Sequence, residues 1–287
     1  MKYRPLGCSS LQASVLGIGA LHFGVYVDQK MTTRLIRRGL DLGINFIDTA
    51  PLYGQGNSET FVGNAIQGRR HDFLITTKVG LNPKIGPDGS FGVSVASLKA
   101  DVIRTSLDKS LRALGTDYVD LFQVHAFDPS TPVEETLETL DDLVQEGKVR
   151  HIGCSNYDEA EFSLAANAAE KHGWRRFVAF QVYYNLLERR AEQHIVPACQ
   201  AARVGIICNR ALACGILTGK YKRDEPLPQE SRGIMSTRVR RRLSEEVLDL
   251  VAVLDGFARK RGHSSAELAV AWLLARPGVS VVLAGMR

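Results

Sequence analysis

Four side chains in this sequence could together work on a carbonyl group. The segment Asp48-Thr-Ala-Pro-Leu-Tyr53-Gly places a phenol just beyond a carboxylate, and Lys78 and His125 each close a short apolar run. A tyrosine with an ordinary pKa of about 10 holds its proton at neutral pH but releases it reluctantly. A neighbouring ammonium such as Lys78 stabilises the phenolate, and Asp48 would keep that ammonium charged and in place. His125 could hydrogen-bond a substrate carbonyl and orient it, or share in proton transfer. Such a set polarises a carbonyl and protonates an oxyanion as it forms. It contains no nucleophile and no electron source, so reduction would need hydride from a bound cofactor.

Other chemistries fit less well. His22, His125, His151 and His194 show no HxH or HExxH spacing, which argues against a metal site. No GxGxxG follows a strand-like run, and Gly17-Ile-Gly19 lacks the third glycine, so a dinucleotide would not be held in Rossmann fashion. Each residue of the set also has a plain structural reading. Tyr53 could be an amphipathic rim residue, Lys78 could close an ion pair with Asp48, and His125 could be a satisfied polar group.

The elements that must position these residues are legible as alternating short and long segments. Eight apolar runs begin at Val15, Asn45, Phe73, Val119, His151, Val178, Gly205 and Val279. Their nearly continuous apolar character predicts strands covered on both faces, as in a parallel sheet. Between them lie helical patterns. Leu98 to Leu114 has apolar residues at helical spacing. Thr131-Pro-Val-Glu134 reads as an N-cap box with Pro132 at N1 and Gly147 as the stop. Ser264-Ser-Ala-Glu267 reads as a second capping box, stopped by Pro277-Gly278. Eight strands alternating with helices predict one (β/α)8 TIM barrel domain over residues 1–287, with a short N-terminal hairpin plugging its base. In such barrels the site lies at the strands' C-terminal ends. Here those ends carry Asp48, Lys78, His125, Ser155-Asn156, Gln181, Asn209-Arg210 and Gly285, a polar ring facing one mouth.

Bulk properties agree. The 287 residues carry 45% hydrophobic and 23% charged side chains, the balance of a globular protein. No run approaches the about 18 apolar residues of a membrane helix. Five cysteines without CxxC spacing suggest free thiols in a reducing, cytoplasmic setting. The net charge of +5 brings no nucleic-acid motif with it and suits attraction of a phosphorylated cofactor. The run Arg238-Val-Arg-Arg-Arg242 reads as a solvated helix face.

Over nearly its whole length the chain resembles the aldo-keto reductases, in their sugar-dehydrogenase-like and potassium-channel-β-like branches. The stretches that carry the resemblance are Asn45-Phe-Ile-Asp-Thr-Ala-Pro-Leu-Tyr-Gly, Ile75-Thr-Thr-Lys-Val, Asp117-Tyr-Val-Asp-Leu-Phe-Gln-Val-His, Gly147-Lys-Val-Arg-His-Ile-Gly-Cys-Ser-Asn, Gln181-Val-Tyr-Tyr-Asn-Leu-Leu-Glu-Arg and Gly215-Ile-Leu-Thr-Gly-Lys-Tyr. The resemblance implies Tyr53 as proton donor, Lys78 and Asp48 as its tuning pair, and His125 as the residue that orients the carbonyl. It implies that Ser155, Asn156 and Gln181 hydrogen-bond a nicotinamide carboxamide. It also implies that Leu212, Gly215, Leu217 and Lys220 lie over a pyrophosphate, with Arg232, Gly285 and Arg287 toward the adenosine half. An arginine at Arg287 favours NADP(H) over NAD(H), since a 2′-phosphate suits a guanidinium fork. The substrate implied is a small carbonyl compound or sugar.

The chain departs from the family at two places. Asn209-Arg210-Ala-Leu stands where an aromatic-Ser-Pro-Leu is usual, which leaves Tyr183 or Tyr184 as candidates to stack on the nicotinamide. Family members also continue past the position of Arg287 with adenine-gripping residues and a last helix, so a further tail is expected. These departures keep a second reading open, that of a cofactor-sensing binding subunit with little turnover. Loops around His22–Tyr26, Leu81–Phe91 and Lys222–Thr237 are expected to set specificity, with Phe23, Tyr26 and Phe91 as candidate pocket walls. Oligomeric state is not legible in the sequence.

Overall fold

A computed structural model of the chain describes residues 1–85 and 91–285, apart from the side chains of Ile85 and Phe91. Arg287, the middle of the Leu81–Phe91 loop and the Phe91 ring lie outside the described residues. The strands are β1 (Tyr3–Pro5), β2 (Gln12–Ser14), β3 (Leu16–Gly19), β4 (Phe46–Asp48), β5 (Leu74–Val79), β6 (Leu81–Ile85), β7 (Phe91–Val95), β8 (Val119–Val124), β9 (Val149–Ser155), β10 (Ala179–Tyr183), β11 (Gly205–Asn209) and β12 (Val279–Gly285). The helices are α1 (Gln29–Asp41), α2 (Ser58–Ile66), α3 (Ala100–Leu114), α4 (Val133–Gln145), α5 (Glu159–His172), α6 (Ile195–Ala201), α7 (Arg232–Met235), α8 (Thr237–Arg240), α9 (Glu245–Arg259) and α10 (Ser265–Leu274).

Strands β3, β4, β5, β8, β9, β10, β11 and β12 close on themselves, every pair parallel. They correspond to the eight apolar runs of the sequence. Parallel strands covered by helices bury both faces, and β4 and β8 are buried along their whole length. The expected hairpin is β1–β2, and it seals the barrel base. Its Leu6 and Ala13 join Phe46, Leu121, Ile207 and Val281 in one buried cluster inside the barrel. Gly7 makes the turn possible: its φ is +61°, and a Cβ there would stand 2.3 Å from the Val178 carbonyl oxygen. A larger cluster lies between the barrel and its helices. Each large apolar side chain buried there contributes roughly 1.5–3 kcal/mol.

Helix ends follow local chemistry, with one correction. Ser264 and Glu267 form the expected capping box at α10. At α4 the box does not form. Pro132 is the cap residue, and Thr131 instead donates its hydroxyl to Asp128 at 2.6 Å. Asp128 also accepts from the Ser130 hydroxyl and the Leu98 amide. Burial pushes this carboxyl up, but the donors around it outweigh burial and hold it at about 2. The competing acceptor thus ties the loop beyond β8 to the start of α3, and it takes the hydroxyl that the sequence pattern assigned to a cap. The Leu81–Phe91 loop also differs from expectation, because its arms are the antiparallel strands β6 and β7.

Candidate active site

Strand register brings the four residues of the opening motif together. Asp48 pairs with Thr76 across β4–β5, and Lys78 pairs with Gln123 across β5–β8, two positions before His125. Lys78 is wholly buried, and its Nζ donates to Asp48 Oδ1 at 2.7 Å and to the Thr49 carbonyl at 2.8 Å. It also interacts with the Tyr53 hydroxyl and lies 4.7 Å from that ring's centre. The His125 ring meets Tyr53 edge-on, with centroids 5.9 Å apart.

The Tyr53 turn is pinned from below. Gly54 has a φ of +59°, and a Cβ on it would stand 1.8 Å from the Phe23 carbonyl oxygen, so no side chain fits. At the start of α2 the Ser58 hydroxyl bonds the Ala20 carbonyl and Thr49 Oγ1. Phe23 is fully buried in the main core, so it supports this turn and does not wall a pocket.

Electrostatics set the protonation states. Burial pushes the Lys78 ammonium down, but Asp48 and the Tyr53 hydroxyl pull it up by more, so it stays charged. Burial pushes the Tyr53 phenol up, against the pull of Lys78, and the proton is retained at neutral pH. Burial, reinforced by the Lys78 charge, lowers His125 to about 3. The imidazole is therefore neutral across the physiological range and can donate a hydrogen bond from a ring N–H without being a strong acid.

The other strand ends complete the mouth. Ser155 and Gln181 are neighbours across β9–β10. Gln181 donates from Nε2 to Asp48 Oδ1 at 2.7 Å, so the buried carboxylate holds Lys78 and Gln181 together. Asn156, at φ +56°, donates to the His125 carbonyl and to Ser155 Oγ. Asn209 is the register partner of Tyr183 across β10–β11. Of the two candidate stacking residues, Tyr184 is buried, donates to Glu192 and packs against Trp272, which leaves Tyr183 at the mouth.

The segment after β11 is built differently. Leu212 and Leu217 turn their side chains into a satellite core, and the amides of Gly215 and Leu217 both donate to the Leu212 carbonyl. The loop's outward charge is the exposed Lys220, whose Nζ would stand 3.2 Å from a Cβ on Gly215. Gly285 ends β12 as the register partner of Gly19.

Within the Arg238–Arg242 run Arg238, Arg240 and Arg241 are exposed, as expected of a solvated face, and Arg242 is the exception. Arg242 turns inward onto the Tyr183 hydroxyl, and Arg238 and Arg242 line a cavity of about 250 Å³ with Arg210, Arg232, His22 and Cys214. Charge density was the available signal in the sequence, but periodicity could not show which arginines face the barrel. Glu59 was also missed. This buried carboxyl accepts from Thr77 Oγ1 at 2.5 Å, beside Lys78, and burial raises its pKa.

A second cavity, of about 790 Å³, opens beside Lys78 and His125. Leu52, Val79 and Leu81 lie along it, with Asn82, Asp101 and Lys109 farther out. Among the described residues, no three His, Cys, Asp or Glu side chains gather as metal ligands. No described helix is long and apolar enough to cross a membrane.

A closed parallel barrel with polar and ionisable side chains gathered at its strands' C-terminal ends is the architecture of a barrel enzyme. A model of the Aldo/keto reductase family matches residues 15–287, and the chain belongs to that family. It is 33% identical over 294 residues to aldo-keto reductase YhdN of Bacillus subtilis (strain 168), spanning 100% of this chain and 85% of that protein. It is 33% identical over 299 residues to L-glyceraldehyde 3-phosphate reductase of Escherichia coli O157:H7, spanning 99% of this chain and 84% of that protein. The solved structure of the glycerol dehydrogenase AKR11B4 from Gluconobacter oxydans superposes with a TM-score of 0.84 at 28% identity, over 99% of this chain and 86% of that one. The protein is an oxidoreductase of a family that works with a nicotinamide cofactor.

Proposed function

We propose that the protein reduces small carbonyl compounds, or oxidises the corresponding alcohols, with NADP(H), using Tyr53 as the acid that protonates the substrate oxygen. When bound, the nicotinamide supplies hydride to the carbonyl carbon or takes it back. Tyr53 gives its phenolic proton to the oxygen as negative charge develops there. Lys78, charged and fixed by Asp48, stabilises the phenolate left behind. His125 donates from its neutral ring to the same oxygen and fixes the carbonyl's direction.

The residues around the mouth fit the cofactor. Ser155, Asn156 and Gln181 offer side-chain donors and acceptors at adjacent strand ends, suited to a carboxamide. Lys220 and Arg232 bring positive charge to the side of the mouth formed by the segments after β3 and β11, suited to phosphates. The guanidinium-rich cavity there supports NADP(H) over NAD(H). The 790 Å³ cavity would receive the substrate: apolar surface at Leu52, Val79 and Leu81, with polar groups farther out at Asn82 and Asp101.

The observation that carries this reading is the buried Asp48–Lys78 pair against the Tyr53 hydroxyl. A subunit that only senses the cofactor has no need for a desolvated ion pair aimed at a phenol, which favours turnover. The test is Tyr53→Phe. We expect its reduction of aldehydes by NADPH to fall by about 10²–10⁴-fold, with NADPH binding, read by fluorescence titration, retained. Turnover equal to wild type would overturn the assignment.

A further inference from the structure

Arg210 stands at the rim of the barrel mouth, directly after β11. It follows Asn209 directly at the end of β11, with φ at +51°, a conformation side-chain-bearing residues rarely adopt. That backbone is held in place: the Asn185 amide donates to the Arg210 carbonyl at 3.0 Å. The guanidinium lies 5.0 Å from the centre of the Tyr183 ring, and Arg242 lies 5.3 Å from the same centre. Arg210 and Arg242 thus share one aromatic ring at the side of the mouth where β10 and β11 end. Nearby arginines elsewhere on this surface have carboxylate partners, as in Arg189–Glu192, Arg190–Glu188 and Arg223–Asp249. Arg210, Arg232, Arg238 and Arg242 line one cavity, and no Asp or Glu is among the described residues that line it.

We propose that Arg210 makes the site discriminate between the two redox states of its nicotinamide cofactor, favouring the neutral dihydro form over the cationic oxidised form. The inference rests on the nicotinamide reading above. A ring that exchanges hydride with a carbonyl held by Tyr53 is confined to the neighbourhood of that phenol, with reacting atoms about 3–3.5 Å apart. Tyr183 is the aromatic ring left at the mouth to stack on that nicotinamide, and the Arg210 guanidinium lies 5.0 Å from the centre of the Tyr183 ring, so its charge falls beside any ring placed there; the same charge favours the Tyr53 phenolate. Reduced nicotinamide is uncharged, and loss of hydride leaves a pyridinium with one positive charge. A fixed cation nearby leaves the first nearly untouched and repels the second. Arg242 adds a second positive charge at the same ring, 5.3 Å from its centre. The cofactor's phosphates are the same in both redox states, so contacts to them cancel from the comparison.

The experiment measures dissociation constants for NADPH and NADP⁺ separately, by fluorescence and calorimetric titration, on the wild-type chain and three variants. Arg210→Met keeps an unbranched, flexible stem but removes the charge. We expect it to tighten NADP⁺ relative to NADPH on the order of tenfold. Arg210→Lys should keep the wild-type ratio, since charge and not fork geometry is the agent. Arg232→Met should weaken both forms together, as loss of a phosphate contact would. Melting curves check that each variant folds. Arg210 is exposed, so its replacement should be tolerated. An unchanged ratio in Arg210→Met, or the same shift in Arg210→Lys, overturns the inference while leaving the nicotinamide reading intact. Failure of the wild-type chain to bind either form overturns both.

Discussion

The two sides of the barrel mouth hold their charges in opposite ways. On the side formed by β4, β5 and β8, the charged groups are out of solvent and satisfied by one another. Lys78 is wholly buried, Asp48 nearly so, and the Lys78 ammonium finds the Asp48 carboxylate, the Thr49 carbonyl and the Tyr53 hydroxyl. On the side formed by β10, β11 and the segment after them, Arg210, Arg238 and Lys220 are exposed, and the arginines face a common cavity without a described carboxylate. The first arrangement is preorganised. Its dipoles and charges are fixed before substrate arrives, and low dielectric strengthens them. The second is a field of one sign, suited to attracting and orienting an anionic ligand.

Removing the countercharge from the buried side should have the largest effect. In Asp48→Asn, burial is left to act on Lys78 without its main opponent, and the ammonium pKa falls. Tyr53 then loses the cation that stabilises its phenolate. We expect carbonyl reduction to drop by about 10²–10⁴-fold and stability to drop by about 3 kcal/mol, the usual cost of breaking a buried ion pair. Steady-state kinetics and denaturant unfolding would read the two effects. A variant with near-normal kcat would mean that the pair is structural and that the contrast between the two sides has no catalytic meaning.

How legible each side was in the sequence follows from the same contrast. Asp48, Tyr53, Lys78 and His125 stand at or just beyond the ends of apolar runs, so strand periodicity and barrel topology together placed them at one mouth. The hairpin at the base and the capping box at Ser264 were legible for a similar reason, since local pattern and tertiary need coincide there. The arginine side was legible only in part: Arg238, Arg240 and Arg241 are exposed as read, and Arg242 is not. Arg238 to Arg242 read as surface because charge density carries no direction, and the inward turn of Arg242 depends on Tyr183, far away in sequence. The box expected at Thr131 failed because Asp128 competes for its hydroxyl, a contact between side chains that no cap pattern encodes. The amides of Gly215 and Leu217 are taken up by the Leu212 carbonyl, so even the family pattern of the loop did not reveal which groups remain available to a ligand.

A smaller effect is expected on the exposed side. Lys220→Met removes a solvent-facing charge that completes no buried network. Its loss should raise KM for NADPH by roughly five- to tenfold and leave kcat within about twofold, because uniform binding is lost without touching the transition state. The difference from wild type should shrink as salt rises from about 0.05 to 0.5 M, since exposed charges are screened over a Debye length of about 10 Å or less. A fall in kcat comparable to that of Asp48→Asn would break the division between a preorganised side and an attracting side.

The smallest effect expected is the absence of one. An ordinary histidine titrates near pH 6.5, and an active site that depended on a protonated imidazole would lose activity as pH rose through that value. Burial and the Lys78 charge lower His125 to about 3, so its neutral form is already dominant at pH 5 and does not change up to pH 9. Burial raises the Tyr53 phenol above its ordinary value, so its acid form also persists across this window. With the donor protonated and the imidazole neutral throughout, kcat/KM for carbonyl reduction should vary by less than about twofold between pH 6 and 8 at saturating NADPH. It should decline only in the alkaline range, as Tyr53 gives up its proton. A rise or fall centred near pH 6.5 that disappears in His125→Gln would show that this histidine titrates, and that its side of the mouth is less sealed from solvent than its burial implies.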